Sequence, residues 1–159
     1  AASRGVVDVR ALALFAPGGL GPQMNTAFVE GMLRAREAAS LKPWLLELVA
    51  DPRVISETFL RVAAESRQDA GLMEGQRNFV ARFFPDGTPS FSIRTDLARL
   101  AAPTRVIVGR ADRIIPFSMA RDLPGHVGLH AIENCGHMPH LEHPALAMRI
   151  IGELIRSVG

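Results

Sequence analysis

The sequence predicts an α/β protein built on a parallel sheet, and three observations carry that prediction. Apolar stretches of strand length alternate with helical stretches in the order strand, helical insertion, strand, helix, strand, helix. Strands separated in this way pair in parallel through crossovers. The first strand candidate is a largely continuous apolar run, as strands covered on both faces are. Turn-forming residues at Pro17-Gly18-Gly19, at Pro85 to Pro89 and at Gly109 punctuate the pattern.

The first element is Val6 to Ala16 (VVDVRALALFA), read as a parallel strand buried on both faces and stopped by Pro17-Gly18-Gly19. Residues 22–85 follow as a helical insertion, with Phe28, Val29, Met32 and Leu33 at helical spacing. Within it Asp51-Pro52 restarts a helix, the aspartate as N-cap and the proline at the first helical position. The turn PDGTP closes the insertion, and Asp96 to Leu100 supplies one further helical turn. Arg105 to Val108 (RVIV) is the second strand, ended by Gly109, and Ser118 to Asp122 a short helix. Val127 to Ile132 (VGLHAI) is the third strand, followed by a loop from Glu133 to Pro139. The closing helix carries Leu146, Ile150, Ile151, Leu154 and Ile155 on one side, with Arg149, Glu153 and Arg156 elsewhere. Three strands are fewer than an open parallel sheet usually has, so residues 1–159 read as one partial domain. The start at Ala1 instead of methionine agrees with truncation or processing.

Composition narrows the function classes. In 159 residues, 48% are hydrophobic and 21% charged, the profile of a globular protein with a real core. The net charge is +2, Lys42 is the only lysine, and the arginines are scattered without a basic run interleaved with aromatics. No nucleic-acid partner is expected on that charge distribution. Cys135 is the single cysteine, which excludes an internal disulfide and makes the reducing cytoplasm the expected compartment. No apolar run approaches the ~20 residues that span a bilayer, and the N-terminus lacks signal-peptide character, so no membrane partner is expected.

The chemistry gathers in two loops. In open parallel sheets the loops leaving the carboxyl ends of strands line the functional crevice. GRADRIIP (Gly109 to Pro116) leaves the second strand and offers Asp112, and ENCGHMPHLE (Glu133 to Glu142) leaves the third and offers His137. Adjacent strands would bring the two side chains together. A carboxylate bonded to one ring nitrogen fixes the tautomer and frees the other nitrogen to accept a proton. The residues alone leave other readings open. Asp112 also suits a turn, paired with Arg110 or Arg113. Cys135, His137, His140 and His143 are zinc-type side chains crowded together, although Pro139 and Pro144 make a four-ligand wrap awkward. Cys135 reads best as a small buried residue, and Trp44, Met24, Met32 and Met73 as core at helical spacing.

The two loops resemble the acid and histidine loops of the α/β-hydrolase family, whose chain order of serine, acid, histidine agrees with Asp112 preceding His137. RALALFAPGGLG resembles the strand that such proteins place before a helical lid. The resemblance implies the C-terminal portion of an α/β-hydrolase fold, with about three parallel strands, crossover helices and a helical lid insertion. It further implies Asp112 as triad acid, His137 as triad base, no metal, and lid residues such as Trp44 and the methionines over a small acyl substrate.

LKPWLLELVADPRVIS, together with DRIIP, is similar to the catalytic domain of acetoin dehydrogenase acetyltransferases (dihydrolipoyllysine-residue acetyltransferases). That similarity implies acetyl transfer from a dihydrolipoyl arm to coenzyme A, a co-substrate, with no cofactor held covalently and a lipoyl domain as partner. Carboxylesterases and carbon–carbon bond hydrolases carry similar loops, and a non-catalytic interaction half-domain is the reading from another class. The departures are definite. No GxSxG occurs, no oxyanion-hole loop precedes the first strand, and Lys42 in Leu-Lys-Pro does not resemble a lipoyl attachment site. The isolated chain is therefore expected to be silent toward acyl esters. The open side of the first strand is expected to pair with the missing N-terminal half or with a second copy of the chain, and a proline at Leu12 to break that pairing.

Overall fold

The computed structural model describes residues 7–159. Its centre is strand β2 (Thr104–Gly109), in which Thr104, Val106 and Ile107 are almost wholly buried. Strands β1 (Leu12–Phe15) and β3 (Val127–Ile132) flank it, both parallel, in the order β1-β2-β3. Leu14 pairs with Val106, and Val106 with Leu129. The run of apolar residues in β2 follows from this position, because side chains alternate between two covered faces. On one face Val106 and Val108, with Leu12 and Leu14, meet Leu20, Leu97 and Ala120. On the other face Ile107, with Ala13 and Phe15, meets Ile132, Cys135, Ile150 and Leu146.

The helical insertion contains α1 (Thr26–Arg34), α2 (Ala38–Glu47), α3 (Glu57–Ser66) and α4 (Ala70–Phe83). Each start has a local cause. The side chains of Asn25, Ser56 and Asp69 accept from the amides of Phe28, Phe59 and Leu72, and Glu37 with Ser40 forms a capping box on α2. The insertion has its own apolar cluster of Leu41, Leu45, Val49, Ile55 and Leu60. Below it, α5 (Arg94–Arg99) is tied down by one side chain: Arg94 donates to the carbonyls of Leu20, Met119, Arg121 and Asp122 at 2.6 to 2.9 Å. The chain ends in α6 (Pro139–Glu142) and α7 (Pro144–Arg156).

Several expectations need correction. The first strand is far shorter than Val6 to Ala16: Val6 lies outside the described residues, residues 7–10 are irregular, and Asp8 and Arg10 interrupt the apolar run. Its four residues are half-buried because β1 sits at a sheet edge with β2 as its one neighbour among the described residues. The amide of Leu12 donates to Pro103 O at 3.0 Å, on the β2 side. A proline at Leu12 would therefore damage the inner ladder, and the open edge belongs to Ala13 and Phe15. Asp51-Pro52 starts only a 3-10 turn (Pro52–Val54), since Ser56 caps a new helix four residues later. The segment read as a short helix near Ser118 is a 3-10 turn, Phe117–Ala120, and α5 begins two residues before Asp96. On α7 the buried stripe is Ala147, Ile150 and Leu154, while Ile155 is 60% exposed because it stands 100° around the helix from Leu154.

Candidate active site

The acid loop begins where β2 runs out. Gly109 is demanded there, because a Cβ would collide with the carbonyl oxygens of Cys135 and Gly136 as the histidine loop crosses its Cα. The two loops are then zipped together: Arg110 N–H donates to Ile132 O and Ala111 N–H to Cys135 O, both at 2.9 Å. This brings Asp112 under the histidine loop with its side chain 1% exposed. Oδ1 accepts from the amides of Ile114 and Ile115 at 2.8 and 2.9 Å. Oδ2 lies 2.9 Å from Nδ1 of His137.

That arrangement decides the imidazole's roles. A carboxylate serving three acceptor contacts needs donors on each, so Nδ1 carries the hydrogen and Nε2 keeps its lone pair. The histidine loop supports the pose. Asn134 takes a left-handed φ of 50°, which asparagine tolerates, to reverse the chain after β3. A Cβ on Gly136 would stand 2.8 Å from Leu48 O and Val49 Cα, so only glycine lets the loop lie against the end of α2. His137 N–H then donates to Leu48 O at 2.8 Å. Its ring is 23% exposed, and Nε2 has no hydrogen-bond partner among the described residues. A base held at one nitrogen and open at the other can take a proton from a hydroxyl delivered to it.

Two residues that the sequence reading passed over hold this site to the insertion. Glu142, on α6, accepts from the amides of Gly136 (2.6 Å), Ala50 (2.6 Å) and Asp51 (3.1 Å). Arg113 donates to Leu46 O at 2.5 Å and Val49 O at 3.0 Å and pairs with Glu47 at 3.2 Å, capping the C-terminus of α2 where orphan carbonyls favour a cation. Residues 46–51 are thus the joint on which acid loop, histidine loop and α6 converge. Only the short spacing of Glu142 from His137 was visible beforehand.

The remaining candidates separate. Asp112 pairs with neither arginine: Arg110 meets Glu133 at 2.7 Å and covers the Phe117 ring. Cys135 is fully buried, and desolvation, with Glu142 nearby, pushes its thiol up to about 12, the opposite of an activated nucleophile. His140 packs edge-on against Phe15, and His143 points back to Asn134 O. Among the described residues no three His, Cys, Asp or Glu side chains gather as metal ligands. Met73 is buried and Trp44 packs on the insertion's cluster, whereas Met24 and Met32 line an open groove of about 580 Å³ between α1 and α4. No helix among the described residues is long and apolar enough to cross a membrane.

Comparison with known proteins places these loops in context. Residues 1–149 match the profile described as the Alpha/beta hydrolase family. A dihydrolipoyllysine-residue acetyltransferase component of the acetoin cleaving system from Pseudomonas putida is 28% identical over 134 residues, covering 84% of this chain and 35% of that protein. A 2-hydroxymuconate semialdehyde hydrolase from Pseudomonas putida is 35% identical over 116 residues, covering 67% of this chain and 40% of that one. A meta-cleavage product hydrolase from Pseudomonas fluorescens superposes with a TM-score of 0.82 at 19% identity, over 99% of this chain and 60% of its own. The chain therefore spans well under half of these two curated relatives.

Proposed function

The chain belongs to the alpha/beta hydrolase family, and from that premise we propose that it supplies the acid and base of a serine-nucleophile acyl-transfer site. The observation that supports this is the 2.9 Å contact between a buried Asp112 and a half-open His137 at the carboxyl ends of adjacent parallel strands. In this reading a serine outside residues 1–159 attacks the acyl carbonyl while Nε2 of His137 takes its proton. The proton then passes to the leaving group as the acyl-enzyme forms, and Asp112 keeps the ring in the productive tautomer throughout. The acceptor attacks the acyl-enzyme in a second, mirrored step.

For donor and acceptor we propose acetyl-dihydrolipoyl, carried on a lipoyl domain, and coenzyme A; the supporting likeness is to the acetoin-system acetyltransferase. A second reading, hydrolysis of a carbon–carbon bond or ester with water as acceptor, draws on the semialdehyde hydrolase likeness. Incubation of the catalytically complete, serine-containing protein with acetyl-dihydrolipoamide and coenzyme A separates them. Saturable acetyl-CoA formation, faster than acetate release and lost in His137→Ala, supports the transferase. His137-dependent hydrolysis alone supports the second reading. Turnover indifferent to His137→Ala sinks both and leaves a non-catalytic half-domain. The 159-residue chain by itself is expected to show no burst with p-nitrophenyl acetate.

The proposed partner at the Ala13 and Phe15 edge of β1 is a strand from elsewhere in the same protein or from a second copy. Ala13→Pro removes an outward-facing amide and spares the β2 ladder, so a lower sedimentation mass for this variant is the expected result. The proposed compartment is the cytoplasm, which suits a free Cys135.

A further inference from the structure

We propose that the groove between α1 and α4 binds a medium-length aliphatic anion, whose charged end Arg67 receives. This binding goes beyond the acyl-transfer reading above and does not rest on it.

The groove has the size of a small-molecule site, about 580 Å³. Met24, Phe28 and Met32 line one side, and Leu72 and Phe79 the other. Leu72 and Phe79 are 42% and 55% exposed, so apolar surface stands open along its length. One charged side chain interrupts this wall. Arg67 closes the C-terminal end of α3, and its residue is only 7% exposed.

A buried guanidinium ordinarily has a carboxylate partner, because an uncompensated charge away from water is costly. Arg67 makes no ion pair among the described residues. Nη1 donates to Gln76 Oε1 at 2.8 Å and touches Met73 Sδ at 3.3 Å, and Nη2 reaches only Met32 Sδ at 3.9 Å. One oxygen acceptor therefore serves a group with five N–H donors. Desolvation, reinforced by the like charge of Arg36, lowers its pKa, as expected for a cation lacking a counter-charge. A carboxylate entering along the groove would supply that charge and a bidentate acceptor together.

The length of the groove fits a medium-length aliphatic chain. Its Met24 end adjoins Asn25, whose amide donates to Ile114 O at 2.8 Å and whose side chain donates to Arg113 O at 3.3 Å, beside the loop that holds Asp112. Its far end is Met32, next to Arg67. Asn25 to Met32 is seven residues along α1, about 10 Å at the helical rise. The apolar chain of a medium-length carboxylate spans that interval, with its anionic end at Arg67.

The test is calorimetric titration of the protein with octanoate and with octanamide, which share a chain and differ in charge. The expected result is at least a tenfold lower Kd for octanoate. Arg67→Met, which keeps side-chain length and removes the buried charge, is expected to weaken octanoate at least tenfold and to leave octanamide within threefold. Arg67→Lys keeps part of the preference. Equal affinities for the two probes, octanoate binding unchanged in Arg67→Met, or no saturable binding of octanoate overturns the proposal. His137→Ala separates it from the catalytic reading: octanoate binding retained while acyl transfer proves independent of His137 sinks the catalysis and supports the anion site. His137-dependent transfer without octanoate binding does the reverse.

Discussion

The loops at the carboxyl ends of β2 and β3 and the helical insertion above them are held by different forces. In the loops, two carboxylates are held by directed bonds: Asp112 takes two amides and an imidazole, and Glu142 takes three amides. In the insertion, apolar packing does the holding, and the ion pairs stand in solvent, as Arg61–Glu65 does with side chains 62% and 61% exposed. Directed bonds in a low-dielectric setting fix a geometry to tenths of an ångström, as proton transfer requires. Apolar contacts fix no such geometry and tolerate sliding. The two regimes meet at residues 46–51 and again at Asn25, which donates to Ile114 O and Arg113 O.

The sharpest way to break this contrast is Asp112→Asn in the catalytically complete protein. The new Oδ1 can still accept from Ile114 and Ile115, so the fold should persist by circular dichroism. The amide would face Nδ1 as a donor, force the hydrogen onto Nε2 and remove the base. Turnover should fall about 10⁴-fold; a loss below tenfold would mean the buried contact is structural only.

Next in size is Glu142→Ala. Stranding the amides of Gly136 and Ala50 should cost about 1–3 kcal/mol in urea unfolding, with faster hydrogen exchange at those two amides first. Unchanged exchange there would show that the insertion is held to the loops by something other than this carboxylate.

A smaller effect follows from Cys135. Burial raises its pKa from 9.0 to about 12, so the folded state holds a proton that the unfolded chain releases. The stability from this linkage is full below pH 9.0 and is lost as pH rises toward 12. Ellman's reagent at pH 8 should leave the thiol untouched until denaturant is added; rapid labelling of the native protein would contradict the burial.

The smallest expected effect is Arg61→Ala. An exposed i,i+4 pair contributes about 0.3–0.5 kcal/mol, so a midpoint shift larger than that would mean the insertion also depends on directed polar bonds.

Much of this molecule is legible in one dimension. β3 appears with its own boundaries, and β2 within one residue at each end, because a mostly apolar run closed by Gly109 or by a turn is a local signal. Asp112 and His137 are legible for a related reason, since each follows a strand end within five residues and parallel neighbours leave few places for them to go. The insertion's caps at Asn25, Ser56 and Asp69 are likewise local chemistry.

What tertiary structure alone decided depends on distant pairs. The half-burial of β1 reflects its having β2 as the one neighbour among the described residues, and the direction of the Leu12 amide depends on which side β2 lies. Glu142 reaches Ala50 across 92 positions, and Arg113 reaches Leu46 across 67, with no periodicity to announce either bond. The want of a counter-charge at Arg67 is a property of everything packed around it, and Ile155 faces water because α7 is rotated to serve Ile107 and Ile132. Helices, strands and caps follow from neighbours in the chain, whereas a joint, a tautomer and an unpaired cation exist only once residues remote in sequence share one dry space.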